Sequence, residues 1–107
     1  MPRRRRRRRV GASPKFEVFG PSRDESGSEV ILKVEEFEAI RLKDFEGLDQ
    51  NEAAEKMDIS QPTFHRVLVS ARQKIADALV GGKTLRVKGG SYEMVSGDLE
   101  SEMRDSE

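Results

Sequence analysis

Gln61, His65, Arg66 and Val69 share one side of any helix built from residues 61–80, within an arc of roughly 140°. Side chains of these types can read base edges. A guanidinium makes two hydrogen bonds to guanine, a carboxamide or imidazole gives and takes single ones, and a valine methyl packs on a thymine methyl. Pro62 and Thr63 lie in the first turn, and Arg72 and Gln73 extend the stripe. Other chemistry finds no constellation. His65 is the single histidine, there is no cysteine, and no Gly-rich loop is placed to cradle a phosphate. We therefore expect no catalytic residue, no metal site and no cofactor.

Two helices must position these residues, with a tight turn between them. Asp49 and Glu52 have the spacing of a capping box for a helix that ends near Met57. Asp58 then occupies a turn position that often needs positive φ, which Asp tolerates better than most residues. Ser60 is a good N-cap for the second helix, Pro62 suits its first turn, and Gly81-Gly82 stops it. Phe64, Val67, Leu68, Ala71, Ile75, Ala78 and Leu79 fall within roughly 120° and form its expected core face. The pattern reads as a helix-turn-helix, for which an ordinary αα-hairpin is the plain alternative.

Charge favours the first reading. Arg3, Arg4, Arg5, Arg6, Arg7, Arg8 and Arg9 form an unbroken run, and the formal net charge of zero hides it. Residues 1–15 carry eight basic groups and no acid, 16–58 five against thirteen, 59–90 six against one, and 91–107 one against six. The two positive blocks are the arm and the helix that offers Arg66, as duplex binding requires. The arm should be disordered, because like charges repel and bury nothing. It is not a signal peptide, since no apolar run follows it.

The expected organisation is a disordered basic arm (1–15), a linker (16–29), one helix-turn-helix domain (30–95) and a disordered acidic tail (96–107). Within the domain, Val30–Val34 is β-prone and Glu35–Glu46 helical, with Phe37, Ile40 and Phe45 on its apolar side and Gly47 as its end. Phe16, Val18 and Phe19 can dock from the linker. Thr84–Lys88 and Ser91–Val95 around Gly89-Gly90 fit a β-hairpin, pairing Val87 with Tyr92, Leu85 with Met94 and Arg86 with Glu93, with Val30–Val34 as a candidate third strand. The fold class is mainly α, a tri-helical domain with a short C-terminal hairpin and disordered tails. No apolar stretch approaches the ~20 residues that span a bilayer, so the expected location is the cytoplasm.

The run VEEFEAIRLKDFEGLDQNEAAEKMDISQPTFHRVLVSARQKIADALVGGK resembles the family of small prokaryotic proteins known as domain of unknown function 134. The resemblance covers about residues 30–90 and is carried by EAIRLKD, AAEKM and ARQKIADALV, and its helical part is similar to region four of sigma factors. It implies a sigma-region-four-like helix-turn-helix and a role in DNA binding. Members often carry cysteine in the basic N-terminal segment, a basic residue at the position of Gln61 and Gly at that of Asp58. This chain departs at all three.

The expected function is sequence-specific binding of double-stranded DNA by a transcriptional regulator. Gln61, Pro62, Thr63, His65, Arg66, Val69 and Arg72 would line the groove, and Arg3 to Arg9 would contact phosphates or the minor groove. The alternatives are an RNA-binding protein that uses the arm, and a sigma-like module that meets the transcription machinery through the acidic 16–58 face. A homodimer is the favoured assembly, with the hairpin and the end of the long helix as its material.

Overall fold

Asp49 caps the helix at the centre of the chain as its sequence dictates. Its Oδ1 accepts from the Glu52 N–H at 2.8 Å, and Glu52 Oε1 accepts from the Asp49 N–H at 3.2 Å. In the computed structural model, which describes residues 7–21 and 27–95, this helix is one of three. Helix α1 spans Val34–Ile40 and runs on into a π-helical segment, Arg41–Phe45; α2 spans Gln50–Met57 and α3 Gln61–Gly81. About half of the described residues are helical, and two small sheets complete the fold.

The turn between α2 and α3 occupies only residues 58–60. Asp58 sits at φ 60°, ψ 46°, left-handed as anticipated, and Ser60 Oγ accepts from the Thr63 N–H at 3.2 Å to start α3. Ala39 and Leu42 from the first helical stretch, Ala53, Ala54 and Met57 from α2, and Phe64 and Leu68 from α3 make one buried cluster, with Ile59 and Val67 against it. Small residues on α2 let it approach α3 closely, and Phe64 fills the junction at 0% exposure.

Two apolar side chains expected in this core lie outside it. Phe45 is 81% exposed because Arg41–Phe45 makes a wider, i to i+5 turn, with Glu46 N–H on Arg41 C=O at 2.8 Å. Each residue there advances less than in an α-helix, so Phe45 falls behind the apolar stripe and faces out. Leu79 is 78% exposed: it lies at the edge of the α3 core arc, and in that last turn Ala78 is the residue turned inward.

The strands depart further from expectation. Strands β1 (Arg8–Val10), β2 (Val18–Phe19), β3 (Glu29–Leu32), β4 (Thr84–Val87) and β5 (Tyr92–Met94) form no hairpin between β4 and β5. Strand β4 is the centre of a three-stranded sheet, parallel to β3 and antiparallel to β2. Both its edges are taken, so Leu85 faces Val30 and Phe19, Val87 faces Leu32, and Arg86 pairs with Glu29 at 2.7 Å instead of Glu93. Strand β5 instead lies parallel to β1, with Arg8 opposite Tyr92 and Val10 opposite Met94.

Gly89 and Gly90 have the positive φ a hairpin turn needs, 75° and 104°, but serve a different connection. Gly89 C=O accepts from the Val34 N–H at 3.0 Å and the Ser91 N–H donates to Glu35 Oε1 at 3.0 Å, which fastens the turn across the start of α1. A Cβ at Gly90 would collide with the Glu35 carboxylate.

The segments anticipated as arm and linker both contribute strands. Val10 is fully buried with Leu32, Val34, Ala71 and Val87, a second cluster that anchors the end of the arginine run. Val18 and Phe19 do join the sheet, yet they and Phe16 remain between 47% and 70% exposed. Arg3 to Arg6 and the expected disordered tail, residues 96–107, lie outside the described residues. No described helix is long and apolar enough to cross a membrane.

Candidate functional site

The capped start of α3 presents Gln61, Pro62, His65, Arg66 and Val69 together on one exposed face. Thr63 is half-buried and belongs partly to the cap, its hydroxyl taking a hydrogen bond from Ser60 Oγ at 3.0 Å and another from Arg66 Nη2 at 3.3 Å. Two further side chains, which sequence reasoning gave no role, brace this face from α2. Asn51 Oδ1 accepts from Gln61 Nε2 at 3.1 Å, and Gln50 Nε2 lies 3.4 Å from His65 Nδ1. Both sit in the first turn of α2, Asn51 ten and Gln50 fifteen residues before its partner, so no local pattern marked them.

Arg72 stands apart from the group it was expected to join. Its Nη2 and Nε donate to Asp44 Oδ1 and Oδ2 at 2.6 and 3.1 Å, a two-pronged pair with the π-helical segment. The hydrogen bonds and charge of Arg72 hold the Asp44 carboxyl below the ordinary carboxylate range, and Asp44 in turn raises the guanidinium.

The base of the arginine run lies beside the α3 face. A cleft of about 530 Å³ is lined by Arg8, Lys33, Glu35, Asp58, Thr63 and Arg66 among others, so Arg8 and Arg66 open onto one space. Arg8 is half-buried, and its Nε is a buried donor without a partner among the described residues. Arg7 and Arg9 flank it and are exposed, as alternation along β1 requires. Arg3, Arg4, Arg5 and Arg6 fall outside the described residues.

Three buried glutamates of α1 tie this arrangement together. Glu38 accepts from the Gly11 N–H at 3.0 Å and from two nitrogens of Arg41 at 2.8 Å each, which holds the chain just after β1. Glu36 accepts from the Lys33 N–H at 2.8 Å, Ser70 Oγ at 2.7 Å and Lys74 Nζ at 2.8 Å, which holds α3 to the start of α1. The sequence places Glu35 and Glu36 at a helix start; their burial as inter-element ties was not legible, because their partners in other elements are 34 to 56 residues away.

Burial alone pushes the Glu36 carboxyl up, but the hydrogen bonds from Lys74, Ser70 and Lys33, with the Lys74 charge, together bring it below its ordinary value of 4.5. A carboxyl whose value is depressed on folding contributes stability above the unfolded value, and that stability is lost as pH falls through the folded one. The chain should therefore lose stability below about pH 4.5, and Glu36→Gln should flatten that acid limb while lowering stability at neutral pH. Chemical denaturation at a series of pH values checks this; an acid limb of unchanged slope in the variant would place the titration elsewhere.

Among the described residues no cluster of three His, Cys, Asp or Glu could hold a metal ion. No solved structure matches the chain significantly. Its relatives are sequences. The chain is 58% identical over 92 residues to a UPF0251 protein of Caldicellulosiruptor bescii, covering 86% of this chain and 65% of that one. It is 52% identical over 102 residues to a UPF0251 protein of Pelotomaculum thermopropionicum, covering 94% and 77%. A UPF0251 protein of Methanothermobacter thermautotrophicus is 51% identical over 92 residues, covering 86% of this chain and 49% of that one. The chain thus spans about half to three quarters of the length of these relatives. The matched family profile takes in residues 1–95, from the arginine run through β1, the three helices and the last strand, and the chain belongs to the family described as protein of unknown function DUF134.

Proposed function

We propose that α2 and α3 act as a helix-turn-helix of the sigma-region-four kind, and that the protein is a sequence-specific DNA-binding transcriptional regulator. The observation that carries this reading is the exposed Gln61–Val69 face of α3, with Arg66 on the same cleft as Arg8. Residues 61–76 contain no acidic side chain, so nothing on that stretch repels a phosphate backbone. In this reading the first turns of α3 enter the major groove. Arg66 makes a bidentate guanine contact, Gln61 and His65 are held ready by Asn51 and Gln50, and Val69 meets a thymine methyl. The arginine run, whose last two members lie in β1, adds phosphate or minor-groove contacts beside the reading helix.

Competition among duplex DNA, single strands and structured RNA for the full chain tests the reading. Duplex should compete best, and selection from random duplexes should return a preferred site. Preference for structured RNA would favour an RNA-binding role for the arm, and no nucleic-acid binding would turn attention to the acidic face as a surface for the transcription machinery. Arg66→Ala should cost about 1–3 kcal/mol on the preferred site and little on random DNA. Equal losses on both would show that Arg66 touches only backbone.

A further inference from the structure

The π-helical segment that turns Phe45 outward also sets Asp44 against α3. Segments of this kind interrupt regular hydrogen bonding and occur frequently at functional sites. Here the segment delivers a carboxylate to Arg72, six residues beyond Arg66 on the same helix, about 9 Å along its axis. The two Asp44 oxygens meet the guanidinium fork as two non-bridging phosphate oxygens would. Both partners are open to solvent, with Arg72 51% and Asp44 39% exposed, and an ion pair so exposed contributes little to folding. A polyanion can reach and displace it.

We propose that Asp44 is an internal substitute for a DNA phosphate: it occupies Arg72 in the free protein, lowers affinity for DNA of arbitrary sequence and leaves discrimination to the base-reading end of α3. The inference rests on the DNA-binding reading above and adds to it a residue outside the helix-turn-helix that sets overall affinity for DNA. The chemistry is exchange of one oxyanion for another on the same guanidinium. Binding a duplex must break the Asp44 pair before Arg72 can neutralise a phosphate, and it must also bring the Asp44 charge toward the backbone. Both effects weaken binding equally for every sequence. Lys43, next to Asp44, offsets part of the repulsion.

The experiment is fluorescence anisotropy of a labelled random duplex across a salt series, with the full chain, Asp44→Asn, Arg72→Ala and the double variant. Asp44→Asn should tighten random-duplex binding about 5- to 10-fold near ~0.1 M salt and steepen the salt slope by ~0.9, the value for one added phosphate contact. Arg72→Ala should change little while Asp44 is present, and when combined with Asp44→Asn should remove most of the gain, leaving only the part due to the lost Asp44 charge. Identical affinities for the full chain and Asp44→Asn, with the full chain binding duplex well, would overturn the proposal and leave the DNA reading standing. So would an Arg72→Ala loss that is equally large with and without Asp44. Failure of every protein to bind any duplex would overturn the DNA reading and this proposal with it.

Discussion

Phe64→Ala should destabilise the protein by ~3–5 kcal/mol, the range for removing a fully buried aromatic ring from a packed core. Phe64 is 0% exposed and stands where three elements meet, against Ala39 and Leu42 from the first helical stretch, Ala54 and Met57 from α2, and Leu68 from its own helix. The neighbours cannot close the gap easily, since Ala39, Ala53 and Ala54 have no longer side chain to swing into it. A domain of this size commonly holds only ~5–15 kcal/mol of net stability, so the loss takes a large share of it. Urea denaturation followed by circular dichroism measures the change. The loss should also disorient α3 against α2 and separate His65 and Gln61 from their braces. An unchanged midpoint would mean that the ring is not the keystone of the three-helix junction.

The helical part of the fold was legible in the sequence because its signals are local. Asp49 with Glu52, Ser60 with Pro62, and Gly82 act within a turn or two of chain, and the structure returns each of them as a cap or stop. Asp58 took the left-handed conformation that its place between two capped helices demanded. The segments 30–34, 84–88 and 91–95 were legible as strands, and the first does pair with the second, but the partner of the third was not, because strand partners are set by which edges remain free after everything else has packed. Gly89-Gly90 between two β-prone runs is a fair hairpin signal, and it was overridden once β3 and β2 had claimed both edges of β4. Val10 illustrates the same limit. One valine after seven arginines carries no periodicity, yet it is fully buried, because β5 and the second core cluster supply long-range partners. At the site, residue identity and face were readable for Gln61, His65, Arg66 and Val69. The pairing of Arg72 with Asp44, 28 residues earlier, depended on a π-helical turn that no local pattern announced.

Deleting Arg3 to Arg7 while keeping Arg8–Val10 should weaken binding to preferred and random duplexes alike, by roughly two to four orders of magnitude near ~0.1 M salt if most of the five cations meet phosphates. The deletion is placed to spare the fold: β1 begins at Arg8, Val10 is buried, and the Gly11 N–H is held by Glu38, so a cut further along would remove core packing as well as charge. Each phosphate that is no longer neutralised should flatten the plot of log affinity against log salt by up to ~0.9, or up to ~4.5 for five. The ratio of preferred to random affinity should hardly move, because arginine–phosphate pairing carries no base information. This pattern is the opposite of that expected for Arg66→Ala, which should erode the ratio and leave the slope nearly intact. The contrast tests the division of labour between a reading face built on α3 and a charged segment anchored beside it at Arg8. A slope unchanged by the deletion would show that the arginine run takes no part in holding the duplex. A collapse of the preferred-to-random ratio would mean instead that the run reads sequence, as a minor-groove arm does when an arginine is inserted where the groove narrows.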